Sequence, residues 1–148
     1  MDAEQAAISK IFCLIPAISL SFFKPFEQHN SRPELSRSHL RTLINLRIDG
    51  PSSMTHLSQR IDLEKGSFTP VARHLEEAGY LERIKPPEDR RQTLLSLTPE
   101  GTRLTDALMA EHRRLVEGSI AQLTADERAE FLTAVDTMLR LLQRMKQT

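Results

Sequence analysis

Residues 52–98 constrain this chain most, because they carry one order of elements that few folds share. Ser52 or Ser53 can cap a short helix with Met54, Leu57 and Ile61 on one face. A tight connection through Asp62 and Leu63 leads to a second helix over about residues 65–78. Its inward face is Phe68, Val71, Ala72, Leu75 and Ala78, spaced by threes and fours, and Gly79 supplies the stop. Residues 80–85 and 93–97 then have strand character, and Leu95 and Leu97 share a face. Between them lies a polar loop, Pro86-Pro87-Glu88-Asp89-Arg90-Arg91-Gln92. Helix, turn, helix and a hairpin with a charged tip make a winged helix-turn-helix.

The flanks read as helical. A first helix over about residues 3–24 places Ile8, Ile11, Phe12, Ile15, Ile18 and Phe22 at helical spacings. Pro16 lies inside it and is expected to kink it or shift its start. Residues 29–33 read as a loop. A further helix from about Glu34 has Leu40, Leu43, Ile44 and Ile48 inward and stops at Asp49-Gly50-Pro51. Thr98 caps the next helix with Pro99 in its first position, and Leu104, Leu108, Leu115 and Val116 form its stripe. Leu123-Thr124 closes it and caps the last. There Phe131, Val135, Met138, Leu142 and Met145 make a coiled-coil-like seam, widened by Leu132, Leu139 and Leu141. So apolar a terminal helix needs a partner surface, and a second copy of the chain is the economical one. The expected fold is mainly α with a small β-hairpin wing, in one unit over 1–148. Residues 34–98 form its DNA-binding lobe, and residues 1–30 and 99–148 a helical dimerisation lobe.

The runs "LEKGSFTPVARHLEEAGYLER" and "PPEDRRQTLLSLTPEG" resemble the MarR (multiple-antibiotic-resistance regulator) family. The resemblance covers Leu63 to Gly101, and the flanking helices follow the family's layout. It implies a dimeric, ligand-responsive regulator, usually a repressor; a two-fold dimer in turn calls for an inverted-repeat operator. It also implies that Asp89 braces the wing by pairing with Arg91. Small aromatic ligands would lodge between the two lobes, near Arg37, His39, Arg41, Arg47 and His112.

A helix in the major groove reads bases with its outward side chains, here Ser67, Thr69, Pro70, Arg73, His74 and Glu77. Ser67 and Thr69 can donate to phosphates or bases, Arg73 can grip a guanine or a phosphate, and Pro70 can touch a thymine methyl. Pro70 stands where the family commonly has a polar residue, so no base contact is carried over to it. Arg90 and Arg91 at the wing tip suit the negative potential of a minor groove. Formal net charge is zero, from 20 Lys+Arg against 20 Asp+Glu, which argues against a general polyanion binder. Locally, residues 83–91 hold Arg83, Lys85, Arg90 and Arg91 against Glu88 and Asp89, four positive minus two negative. The rival reading, a winged helix used only for protein contacts, would need no arginine-tipped wing.

Other classes find little support. No apolar run reaches the ~18 residues of a membrane span. Residues 11–26 are interrupted by serines, prolines and Lys24 and lack a basic leader, so neither a membrane segment nor a signal peptide is expected. The lone Cys13 excludes an internal disulfide and suits the cytoplasm. Its apolar neighbours point to a buried structural thiol rather than a redox sensor. The five histidines form no local metal motif, and no phosphate loop or nucleophile elbow is present, so no metal, cofactor or enzymatic activity is expected.

Overall fold

The computed structural model describes residues 2–28 and 32–146. The expected loop at 29–33 lies partly outside them. The protein is mainly helical with one antiparallel hairpin, as the periodicities require. It divides into two compact units, Phe26–His112 and a second made of Met1–Pro25 with Arg113–Thr148.

In Phe26–His112, α4 (Arg37–Asp49), α5 (Met54–Arg60), α6 (Lys65–Glu77) and the hairpin β1 (Leu81–Ile84) and β2 (Leu94–Leu97) surround one aliphatic core. Leu40, Leu43, Leu46, Leu57, Ile61, Phe68, Ala72, Leu75, Leu81 and Leu95 are buried in it. Leu104 and Leu108 join them from the first half of α7 (Pro99–Ile120). Two residues expected inward are exposed instead, Ile48 in the last turn of α4 and Ala78 just past α6. Both sit where the chain is about to turn and the helical stripe no longer faces the core.

The connections follow from local chemistry. Ser53 caps α5 by accepting the His56 N–H at 3.1 Å. Ser52 instead exchanges both backbone hydrogen bonds with Leu95, at 3.0 and 2.8 Å, adding a one-residue third strand to the hairpin. The turn between α5 and α6 bends through Asp62 at φ 57°, a left-handed conformation that Asp tolerates. Past α6, Gly79 takes φ 82°, and the Tyr80 and Gly79 N–H groups return to the Leu75 and Glu76 carbonyls. This closure points the chain straight into β1, which pairs Leu81 with Leu97 and Ile84 with Leu94.

Thr98 welds the hairpin to α7. Its hydroxyl donates to the Gly79 carbonyl at 2.6 Å and accepts the Gly101 N–H at 3.0 Å, while its own N–H donates to Tyr80. A Cβ on Gly101 would collide with the Tyr80 carbonyl oxygen. The Thr-Pro-Glu-Gly sequence is thus a close backbone crossing.

The second unit contains α1 (Ala3–Ser9), α2 (Ile11–Ile18), a π-helical turn (Ser19–Phe23), the end of α7 and α8 (Ala125–Lys146). Pro16 lies within α2; the interruptions fall at Lys10 and at the π turn. Thr124 and Glu127 form a reciprocal cap on α8, at 2.8 and 3.2 Å. Together with α3 (Lys24–Gln28), the N-terminal elements make a 26-residue helical stretch, Ala3–Gln28, long and apolar enough by length and composition to cross a membrane. The sequence expectation of no such segment is therefore corrected. Serines and prolines interrupt the apolar run without ending the helix. The core helix of a soluble protein and an N-terminal signal sequence meet the same criterion.

Among the described residues, this unit buries none. The seam residues Val135, Met138, Leu142 and Met145 are 39%, 39%, 47% and 72% exposed, and Phe12 and Ile15 still more than most of them. Phe131 is half-buried, its ring 5.8 Å from that of Phe22. Cys13 is exposed, correcting the expectation of a buried thiol: Phe12 and Ile15 beside it are exposed as well, and Leu14 is only half-buried.

Candidate nucleic-acid interface

One face of α6 is held by the core through Phe68, Ala72 and Leu75. Its opposite face therefore presents Ser67, Pro70, Arg73, His74 and Glu77, all exposed, with Thr69 half-buried. Thr69 is committed in part, since its hydroxyl donates to the Lys65 carbonyl at 3.1 Å. Pro70 is the sixth residue of α6, past the first turn, so the helix runs on through it without the hydrogen bond that an N–H there would give to the Gly66 carbonyl. His74 is engaged on one side, its ring stacked on that of His39 at 4.3 Å.

The wing tip is built by three short contacts. The Asp89 N–H donates to the Pro86 carbonyl at 3.3 Å, and the Gln92 N–H to the Asp89 carbonyl at 3.2 Å. The Asp89 carboxylate accepts the main-chain N–H of Arg91 at 3.0 Å. The resemblance implies a pairing of these two residues, and they do meet. The contact runs through the backbone, however, so the guanidiniums of Arg90 and Arg91 stay exposed at the tip.

The local charge count needs correction. Arg83 forms a two-point fork with Glu76 of α6, Nε to Oε2 and Nη2 to Oε1, both at 3.0 Å. These hydrogen bonds raise the Arg83 pKa and commit its charge. Lys85 Nζ leans on the Arg90 carbonyl at 3.5 Å. The positive charge offered by the wing is thus mainly Arg90 and Arg91. Sequence reasoning missed the fork because Glu76 reads as one of two adjacent surface acids; its separation from Arg83 across a turn carries no periodic signal.

Of the residues considered for a ligand, several are tied within this unit. Arg37 pairs with Glu27 at 2.9 Å, Arg47 with Asp106 at 2.8 Å, and the His112 ring lies 4.8 Å from that of Phe26. A cavity of about 310 Å³ opens elsewhere in the unit, lined by Arg32, Tyr80, Glu100, Arg103, Leu104 and Glu111 among others. Among the described residues no cluster suited to a metal ion occurs.

A helix-turn-helix whose second helix is amphipathic, followed by a wing with two exposed arginines, is the geometry that residues 35–93 present, and over that span they match the model of the MarR family. Residues 35–93 are a MarR family domain. The transcriptional repressor NicR of Pseudomonas putida is 29% identical over 114 residues, covering 77% of this chain and 72% of NicR. A MarR family protein from Bacillus stearothermophilus superposes with TM-score 0.75 at 14% identity, covering 100% of this chain and 99% of that one. Bordetella bronchiseptica BpsR, whose DNA binding is regulated by 6-hydroxynicotinic acid, superposes with TM-score 0.65 at 20% identity, covering 86% and 91%. At such identities the two structures speak for the fold. Residues 35–93 thus carry the domain of MarR-type transcriptional regulators, and the curated relatives are transcriptional regulators.

Proposed function

We propose that this MarR-type regulator is a homodimeric, cytoplasmic repressor that reads a palindromic operator and is released from it by a small ligand. One observation carries the reading: the exposed face of α6 and the tip bearing Arg90 and Arg91 belong to one compact unit. On double-stranded DNA, α6 enters the major groove. There Arg73 contacts a base or phosphate, and Ser67, Thr69 and His74 add polar contacts. Pro70 offers apolar contact to a thymine methyl. Arg90 and Arg91 lie in the adjacent minor groove, with Asp89 fixing the loop that carries them.

The second copy is supported by the uncovered seam of Val135, Met138, Leu142 and Met145, with Phe131 at its start, and by the exposed apolar side chains of α1 and α2. Apolar faces of that extent on a transcriptional regulator mark partner surfaces. The repressor role and the ligand are supported by kinship, NicR being a repressor and BpsR responding to a hydroxylated pyridine carboxylate. The cavity beside Tyr80 and Arg103 has the size at which small-ligand pockets begin. No cofactor is needed for this function.

Selection from random duplexes, followed by footprinting, tests the proposal. The expected product is an inverted repeat with half-site centres ~10 base pairs apart. Failure to enrich any sequence, or a single asymmetric half-site, would contradict it.

A further inference from the structure

The rings of His39 and His74 are stacked, with centroids 4.3 Å apart and planes 25° from parallel. His39 lies in the first turn of α4, and His74 follows Arg73 on α6. His39 is also half of a reciprocal cap. Its Nδ1 accepts the Ser36 N–H at 2.9 Å, and its own N–H donates to Ser36 Oγ at 3.3 Å. An Nδ1 that accepts a hydrogen bond carries no proton, so the ring is neutral with its hydrogen on Nε2. Burial, and after it the charge of His74, hold the His39 pKa below the ordinary imidazole value.

We propose that His39 is a positioning residue for the DNA-reading helix: its neutral ring seats His74, and a proton gained by His39 loosens α6 from α4 so that sequence selection fails in acid. The inference rests on the DNA-binding reading above.

Protonation opposes the arrangement twice. A proton on Nδ1 ends its acceptance of the Ser36 N–H and leaves Ser36 Oγ, 3.0 Å away, as its only partner in the cap. Two imidazolium rings in one stack repel each other. The other charged groups nearby are largely committed. From α5, His56 and Arg60 both bind Asp49, and from β1 Arg83 binds Glu76. Strand β2 carries no titratable side chain, and α7 meets α4 through Asp106, which holds Arg47. Arg37 of α4 is paired with Glu27, which leaves Arg41 on α4 and Lys65, Arg73 and Glu77 on α6. Burial lowers the His39 pKa first, and His74 is the charged neighbour that lowers it further. Because the folded state depresses this pKa, the stability it contributes is complete above the ordinary imidazole value. That stability is lost as pH falls through the lower folded value.

Acid also adds positive charge near DNA, which strengthens binding to every sequence alike. The informative readout is therefore the ratio of affinities for the selected and a scrambled duplex, at about pH 8 and about pH 5.5. In the full-length wild type this ratio is expected to fall about tenfold in acid. His39→Gln keeps an acceptor for the Ser36 N–H but does not titrate, and its ratio is expected to hold at both pH values. A wild-type ratio that does not fall, or a His39→Gln ratio that falls as steeply as wild type, overturns the proposal. A second arm needs neither DNA nor a change at position 39: NMR titration of the His39 ring in wild type and in His74→Gln. His39 is expected to titrate below a free imidazole and to move up in the variant. An unmoved His39 overturns the coupling. If no duplex is selected even at about pH 8 while the NMR arm succeeds, the DNA-binding reading has failed and the histidine coupling has not.

Discussion

Glu76 and Arg83 clasp α6 to the wing through two parallel hydrogen bonds of 3.0 Å. The fork matches the planar guanidinium to the carboxylate, and it fixes the first strand of the hairpin against α6. Arg83 is half exposed, so the pair contributes only about 0.5–1 kcal/mol to stability. A double-mutant cycle with Glu76→Gln and Arg83→Met, read by urea unfolding, is expected to give a coupling in that range. Glu76→Gln alone should also release the Arg83 charge and strengthen binding to scrambled DNA. Additivity of the two substitutions would show that the clasp contributes nothing.

Asp89 and Arg91 should separate by substitution. The carboxylate of Asp89 holds the main-chain N–H of Arg91, not its guanidinium. Arg91→Ala therefore removes one charge and leaves the loop intact. It should weaken binding to all sequences and reduce the salt slope by about one. Asp89→Ala keeps both arginines and loosens the loop, so affinity should fall with the slope unchanged. Identical salt slopes for wild type and Arg91→Ala would remove that guanidinium from the contact.

Much of this reading unit was legible because its determinants are periodic or local. Phe68, Ala72 and Leu75 mark the inner face of α6, and Gly79 its end, by spacing alone. Thr98 was legible as the cap of α7 through Pro99 in the first helical position, and Thr124 as the cap of α8 through its place at a helix break. The pairing of His39 with His74 and of Glu76 with Arg83 was not legible, because each depends on where two separate elements come to rest. Ile48 and Cys13 misled for a related reason. Each lies in an apolar stretch of sequence, but burial depends on a neighbouring surface that sequence spacing does not supply.

Gly101→Ala tests the crossing of α7 over the end of α6. The added methyl meets the Tyr80 carbonyl oxygen, which is backbone and cannot swing away. Destabilisation of about 1–3 kcal/mol is expected in chemical unfolding, far above the small gain Ala brings to an exposed helical site. Wild-type stability in this variant would show that the crossing is looser than described.

Leu142→Glu tests the seam of α8. In the proposed homodimer, a charge placed among Met138, Leu139 and Met145 would be buried without a partner. Sedimentation at micromolar concentration is expected to give a dimer for wild type and a monomer or unfolded chain for the variant. A wild-type monomer would contradict the homodimer.

Arg73 offers the most direct test of sequence reading by α6. It is exposed on the face opposite Phe68, Ala72 and Leu75. Wild type and Arg73→Ala would be titrated against the selected operator and a scrambled duplex at two salt concentrations. If Arg73 reads a base, its loss costs about 1–3 kcal/mol on the operator and much less on scrambled DNA. Equal losses on both duplexes would make it a phosphate contact. A wild type that binds operator and scrambled DNA equally well would contradict sequence-specific recognition by this protein altogether.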